Sequence, residues 1–409
     1  MRIGIDGACL ANRRGFGRFA RRIVAALAGA GSGHEFVVFV DRPSIGSVEV
    51  PAGMETVAVG VAEAPSRAAS ATGRRSIADL FAVGRAIARA GLDLVYFPAS
   101  YSFVPVWGVK RVVVTLHDTL ALAHPELVFP GGRGRLAWKA KEHAAVALAD
   151  RVVTVSEAAR RDLIAWFGLA VGRVRVVTEG PDPVFRPRDE PAGIEALRRH
   201  GIDPTRRYWL AVGGLSPHKN LRRLIEAFAR VGGEDRLVLV GDLGDVFHTH
   251  VPEIRAAVDR LGLSGRVRLT GFVPDDDLSH VYSRAYALVQ PSLMEGFGLP
   301  TVEAMACGTP VASSTAGSLP EVVGDAGVYY DPTDVGSIAT ALRSLGGDPS
   351  LRDRLAARSL ARSGLFTWAA AATSLLACFD EIDPTRAPGR DRPRSRARIR
   401  TRTASKETA

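Results

Sequence analysis

The sequence predicts an α/β protein made of two doubly wound domains that face a cleft. Three observations predict it. Short β-branched runs alternate with Ala-, Leu- and Arg-rich stretches along the whole chain, the pattern of parallel sheets with crossover helices. Between residues 181 and 191 the chain becomes rich in Pro and charge, and a second alternating series follows. The 409 residues, 46% of them apolar, suffice for two cores of ordinary size.

In the first series the strands are expected at Ile3–Ile5, Phe36–Val40, Leu94–Phe97, Arg111–Leu116, Val152–Val155 and Val174–Val177. Helices are expected at Gly17–Ala28, Ile77–Ala90, Leu136–Ala149 and Glu157–Phe167. The second series places strands at Tyr208–Val212, Leu237–Val240, Val267–Thr270, Ala287–Gln290 and Val311–Ser313, with a helix starting near Leu221. The resulting division is a first domain at 1–185, a linker at 186–207 and a second domain at 208–365. Ligands of such sheets sit outside the carboxyl ends of the strands, so the loops after strands are where function is sought.

The net charge of +10 raises the question of nucleic acid, but residues 385–409 alone hold nine Arg or Lys against Asp391 and Glu407. That tail carries +7 and leaves +3 for the body, so no nucleic-acid partner is expected. The tail lacks apolar periodicity and is expected to be disordered, either as a solvated extension or as an electrostatic foot on anionic lipid. Cys9, Cys307 and Cys378 lack metal-ligand spacing, which points to buried thiols in a reducing compartment and to no metal. The start, Met1-Arg2-Ile3-Gly4-Ile5-Asp6-Gly7, reads as a strand instead of a signal sequence, and no apolar run is long enough to span a bilayer. The expected location is cytoplasmic, with any membrane contact peripheral, on the inner face.

The most informative segment is Glu295-Gly296-Phe297-Gly298-Leu299-Pro300-Thr301-Val302-Glu303, directly after the strand Ala287–Gln290. The glycines read as the loop and Pro300 as the first helical residue, where a missing N–H costs nothing. The N–H groups of Gly298 and Leu299 at a positive helix end favour a phosphate. Glu303 in the first turn suits a pair of ribose hydroxyls, and Glu295 at the strand end faces the group beyond the phosphates. Val212-Gly213-Gly214-Leu215-Ser216-Pro217-His218-Lys219-Asn220 leads from another strand into a helix. It puts Lys219 close to the same phosphates, where it would neutralise charge on a departing phosphate. Taken alone, Lys219 reads rather as a solvated surface lysine, and the matching Glu295 loop reverses that reading.

In the first domain, Val112-Val113-Val114-Thr115-Leu116 ends at His117-Asp118. This pair reads either as a sugar or acceptor contact, with Asp118 orienting His117 or acting as a base, or as a structural His capped by its neighbour. His124-Pro125-Glu126 is a lid or a turn. Gly15-Phe16-Gly17-Arg18 superficially matches a dinucleotide fingerprint with Asp41 as the ribose acid, but Asp6 to Arg14 intervene after the first strand. The preferred reading is a glycine-rich loop with Gly15 and Gly17 touching a diphosphate or sugar across the cleft.

Together these residues resemble the retaining nucleotide-sugar glycosyltransferases of family 4, which have the GT-B architecture. The resemblance rests on Val212 to Asn220, Gly271-Phe272-Val273-Pro274-Asp275-Asp276-Asp277-Leu278, Glu295 to Val311 and Gly317-Ser318-Leu319-Pro320-Glu321, with a looser match in the first domain. It implies that Glu303 holds the donor ribose, that Glu295 lies by the donor sugar, and that Phe297, Gly298 and Leu299 contact the distal phosphate and sugar. It further implies Lys219 on the diphosphate, Phe272 and Val273 at the base, His117 near the sugar, and a final helix (366–382) crossing back to the first domain. Many members carry an arginine where this chain has Gly214, and members with a small residue there often act on GDP-mannose in polysaccharide assembly. His218, Arg222 or Arg223 are the candidates to supply the missing charge. The implied activity is transfer of a hexose, mannose by analogy, to a saccharide or lipid-linked acceptor, by front-face attack and without a bound metal or other cofactor. Competing readings are a GT-B epimerase or phosphorylase, an NAD-dependent oxidoreductase, and a nucleic-acid-binding protein acting through the tail.

Overall fold

The computed structural model describes residues 1–12, 15–61, 76–129, 131–244 and 249–383. The tail at 385–409, and with it the expected disordered or lipid-facing extension, lies outside the described residues.

The apolar runs form two all-parallel sheets. The first contains β1 (Arg2–Asp6), β2 (Glu35–Asp41), β3 (Glu55–Val59), β4 (Leu94–Phe97), β5 (Arg111–Thr115), β6 (Arg151–Thr154) and β7 (Val174–Val176), in the order β3-β2-β1-β4-β5-β6-β7. The second contains β8 (Tyr208–Val212), β9 (Arg236–Val240), β10 (Val267–Gly271), β11 (Ala287–Gln290), β12 (Val311–Ser314) and β13 (Gly327–Tyr330), in the order β10-β9-β8-β11-β12-β13. In the second sheet the order reverses between β8 and β11, which pair through Ala287 with Trp209 and Leu288 with Leu210. At such a switch point the two following loops diverge to opposite faces and leave a crevice between them. The loops are the Gly213–Asn220 and Glu295–Gly298 segments.

Helices cover both faces of each sheet, so the strands are buried on both sides and read as continuous Val, Leu and Ile runs. Two strands escaped the sequence reading. Glu55–Val59 is an edge strand with a mostly exposed pattern, and Gly327–Tyr330 is a four-residue edge strand buried only at its last residue, so neither shows a continuous apolar run. The stretch at 186–207, expected as a linker, carries a helix, Ala192–Arg199, and Leu197 and Ile202 join the core under the second sheet.

Two local expectations need correction. Gly15 and Gly17 do not form a loop: they lie in the first turn of the helix Gly15–Gly29. Gly17 is required there because a Cβ would sit 1.7 Å from the Asn12 carbonyl oxygen. Pro300 is the second residue of the helix Leu299–Ala306, and Gly298 before it takes φ +95°, open to glycine alone at no cost.

The last described helix, Trp368–Glu381, returns to the first domain and packs on the helix Gly15–Gly29. Its Ala371, Leu375 and Phe379 are fully buried in the first core, and Phe379 meets Tyr96 edge to face with ring centres 5.5 Å apart. The outgoing and returning chains touch: a Cβ on Gly180 would lie 3.0 Å from the Phe366 carbonyl oxygen. The same core takes in Phe297, Leu299, Val302 and Val322 from the second domain, so the two domains share apolar packing at the cleft floor. All three cysteines are buried free thiols. Among the described residues no helix is long and apolar enough to cross a membrane.

Candidate active-site cleft

The two switch-point loops meet through one ion pair. Lys219, at the end of the 3-10 turn Pro217–Lys219, donates from Nζ to Glu295 Oε1 at 2.6 Å. The same oxygen accepts from Gln290 Nε2 at 2.8 Å and Ser292 Oγ at 2.6 Å, so three donors, from the loop after β8, the end of β11 and the loop after it, converge on it. Burial alone raises the Glu295 carboxyl, but the Lys219 charge and these hydrogen bonds outweigh it and hold the group below its ordinary value. The site therefore keeps an ionised carboxylate beside a cation. Asn220 takes φ +58° and fixes the loop by donating to the carbonyls of Pro291 and Pro332, at 3.0 and 2.7 Å.

The charge missing at Gly214 is not restored by the neighbours expected to supply it. His218 is half-buried and held neutral: desolvation, then the adjacent Lys219, lowers it to about 4, and its Nδ1 sits 3.1 Å from Ser216 Oγ. Arg222 pairs with Glu226 at 3.6 Å, and Arg223 donates to Asn220 Oδ1 at 2.9 Å. Gly214 itself lines a small hollow with Gly213, Lys219, Gln290 and Ser292, about 10 Å³ in volume.

Across the crevice the first domain presses directly on this loop. A Cβ on Gly296 would sit 2.2 Å from the His117 carbonyl oxygen and 3.2 Å from Asp118 Cβ, so only glycine admits the approach. Phe297 turns its side chain away, into the shared core against Phe366, with ring centres 5.5 Å apart. Its backbone, with those of Gly298 and Leu299, stays at the helix entry.

His117 and Asp118 stand together at the carboxyl end of β5, but Asp118 does not orient the imidazole. Asp118 Oδ1 accepts from the Leu120 N–H at 2.8 Å, while His117 Nδ1 faces Glu179 Oε1 at 3.4 Å and Nε2 lies 3.1 Å from the Pro98 carbonyl. The reason is directional: the short Asp side chain closes its own turn two residues on, and the ring is left to a carboxylate that follows β7, two strands along the sheet. Phe16 and Phe19 pack on the ring with centres 4.9 and 4.8 Å away. Burial raises the carboxyls of both Asp118 and Glu179, each partly offset by its own partners. Glu179 was missed in the sequence, although it follows β7 at the same edge of the sheet. Glu142 was also missed: fully buried on the helix Gly132–Leu148, it accepts from Ser100 Oγ at 2.7 Å, and burial pushes it up to about 7.

Glu303, expected in the first helical turn, is the fifth residue of the helix Leu299–Ala306 and so lies in its second turn, because the helix begins at Leu299; it is 3% exposed. Its Oε2 accepts from Tyr282 OH at 3.0 Å, and its Oε1 pairs with the guanidinium of Arg18, which also reaches Asp275 Oδ1 at 2.6 Å. Burial raises the Glu303 carboxyl, and Arg18 works against that rise. The glycine segment Gly15–Arg18 thus meets the second domain through Arg18, on the carboxylate expected to hold a ribose. Nearby, Val273 is buried in the second core while Phe272 projects 58% exposed beside the cleft. Asp41 is spent on Ser44 Oγ at 2.7 Å and lies at the end of β2, so it takes no part in this constellation. Among the described residues no group of three or more His, Cys, Asp or Glu could hold a metal ion.

The sequence model described as "Glycosyl transferases group 1" matches residues 194–362, and the one described as "Glycosyltransferase Family 4" matches residues 13–185. The chain is 35% identical over 267 residues to an O-antigen chain mannosyltransferase B of Escherichia coli, covering 64% of this chain and 68% of that protein. It is 32% identical over 288 residues to a D-inositol 3-phosphate glycosyltransferase of Thermobifida fusca (strain YX), covering 67% and 64%. Of solved structures, sucrose-phosphate synthase from Thermosynechococcus elongatus superposes with a TM-score of 0.74 at 22% identity, over 93% of this chain and 98% of that one. Anabaena Alr3699/HepE in complex with UDP-glucose gives 0.70 at 20% identity, over 93% and 100%.

Proposed function

From a chain that belongs to glycosyltransferase family 4, with the fold of that family's enzymes, we propose a retaining transferase that moves a hexose from a nucleotide-sugar to a hydroxyl of a saccharide or lipid-linked acceptor in polysaccharide assembly. Mannose from GDP-mannose is the leading donor, supported by the O-antigen mannosyltransferase relative. A UDP-linked hexose is the rival, since a protein of the same fold was solved with UDP-glucose. The observation that carries the reading is the partly buried Lys219–Glu295 pair at the switch point, with His117 and Asp118 held against Gly296 from the other domain.

In this reading the diphosphate lies along Gly213 and Gly214 and at the Gly298 helix entry, where Lys219 and the N–H groups of the helix Leu299–Ala306 face it. Glu303 receives the ribose hydroxyls, Phe272 and Val273 border the base, and Glu295 keeps Lys219 aimed. The acceptor oxygen attacks the anomeric carbon on the face from which the diphosphate departs. The new C–O bond forms as the sugar–phosphate bond breaks, and the acceptor proton passes to the departing phosphate oxygen. Lys219 offsets the negative charge that grows there. His117, fixed by Glu179 and the Pro98 carbonyl, contacts the sugar from the first domain. The donor enters between the domains, which part to admit it and close over it to exclude water. Peripheral membrane contact through the tail remains part of the proposal only as a route to a lipid-linked acceptor.

A thermal-shift screen with GDP-mannose, UDP-glucose, UDP-N-acetylglucosamine, dTDP-rhamnose and NAD tests the donor, because a ligand of the folded state raises the midpoint. A rise with one sugar nucleotide that disappears in Glu303→Ala supports the reading. No rise with any sugar nucleotide overturns it.

A further inference from the structure

We infer that Glu321 is a positioning residue: together with Ser156 it clamps the Glu295–Gly298 loop to the first domain, and the clamp directs the activated sugar to the acceptor instead of to water. This rests on the transferase reading for its catalytic half, and on geometry alone for the clamp itself.

The helix Glu157–Phe167 begins in the first domain with three N–H groups that have no partner inside the helix. Ser156 Oγ takes one, from Ala159 at 3.0 Å. The other two, from Glu157 and Ala158, donate to the two carboxylate oxygens of Glu321, each at 3.0 Å. The carboxylate that caps this helix thus comes from 164 residues further along, across the cleft, in the second domain. A negative group at a helix N-terminus is favoured both by the dipole and by the charge-assisted hydrogen bonds. The Ser156 hydroxyl proton points the same way, donating to the Gly296 carbonyl at 2.6 Å.

On its own side Glu321 belongs to a segment that grips the same loop from behind. The Ser318 N–H donates to the Glu295 carbonyl at 3.1 Å, and Ser318 Oγ lies 2.9 Å from the Phe297 carbonyl. Gly317, at φ +59°, leaves no room for a Cβ, which would fall 2.5 Å from the Glu295 carbonyl oxygen. Arg362 fixes the far side by donating to the carbonyls of Glu321 and Val322, both at 2.6 Å. The Gly317–Glu321 motif therefore holds the loop with its first two residues and the opposite domain with its last. Because the capping carboxylate comes from the other domain, parting of the domains would break it, and its loss weakens closure and admits water to the donor.

The test compares the full-length chain with Glu321→Ala, Glu321→Gln and Glu321→Lys, using the donor found in the screen and an acceptor saccharide. Expected for Glu321→Ala is a transfer kcat lower by about tenfold or more, as for other small misplacements of reacting groups. Donor KM should stay within about twofold, and the share of donor hydrolysed should rise; Gln, which keeps one acceptor oxygen, falls between. Unchanged kcat and unchanged hydrolysis share in all three variants, with only a lower melting temperature, overturn the catalytic role. Solution scattering without any ligand tests the clamp separately. Glu321→Lys should show a larger radius of gyration than the unsubstituted chain, and equal radii overturn the clamp even where no donor has been found. An unsubstituted chain that transfers no sugar would instead sink the transferase reading.

Discussion

At Glu295 the carboxylate charge is held by Lys219, which offsets the cost of burial. Removing the lysine leaves a buried carboxylate with only the neutral donors Gln290 and Ser292, and removes the cation from the place where phosphate charge would grow. Lys219→Ala should lower the transfer rate by about two to three orders of magnitude in steady-state kinetics. A rate within tenfold of the unsubstituted chain would show that the cation is not used in transfer. Glu142 presents the opposite case, an acid kept from ionising. Its folded value of about 7 stands above its ordinary 4.5, so between those limits the folded state holds a proton that the unfolded chain releases. Stability therefore falls as pH rises through that window, by on the order of 3 kcal/mol. Glu142→Gln should remove that slope: melting curves of the two proteins between pH 5 and 8 should diverge as pH rises, and parallel curves would show that Glu142 is ordinary. Residue identity at such places was only partly legible. Lys219, Glu295 and Glu303 stand in motifs with fixed spacing, whereas Glu179, Glu142 and the pairing of Arg18 with Glu303 depend on contacts between distant segments, for which local pattern carries no signal.

The elements that matter most are the two loops after β8 and β11, and sequence located both because apolar runs ending in glycines mark strand exits. It did not reveal that Gly296 is a point of close contact between the domains. Glycine there is required by the neighbouring chain, with the His117 carbonyl where a Cβ would be, and not by its own backbone angles. Gly296→Ala is accordingly expected to push the His117-Asp118 turn off the loop and to reduce transfer by about a hundredfold. The separate helices and the fold should be retained, as circular dichroism would check; normal transfer would show that the turn yields freely. The edge strands β3 and β13 illustrate the other limit of pattern reading, since an exposed or very short strand has little apolar run to detect.

For the molecule as a whole, the second domain is inserted into the first. Residues 1–185 lack the helix Trp368–Glu381, whose Ala371, Leu375 and Phe379 are fully buried in the first core. A fragment of residues 1–185 should therefore expose that apolar surface, bind a hydrophobic dye and show no cooperative melting, as burying such side chains is worth roughly 1.5–3 kcal/mol each. A fragment that melts cooperatively would mean the helix is dispensable. The family match and both sheets were readable from the alternation of runs, while the shared packing at the cleft floor, through Phe297 and Val322, was not, because it joins residues of two separately patterned domains. The return of the chain also sets an order in time. During synthesis the entire second sheet leaves the ribosome before the residues that complete the first core have been joined, so the domain begun first is finished last. Until Phe379 arrives, the nascent N-terminal sheet lacks its cover beside Tyr96, the kind of exposed apolar surface through which unfinished chains aggregate.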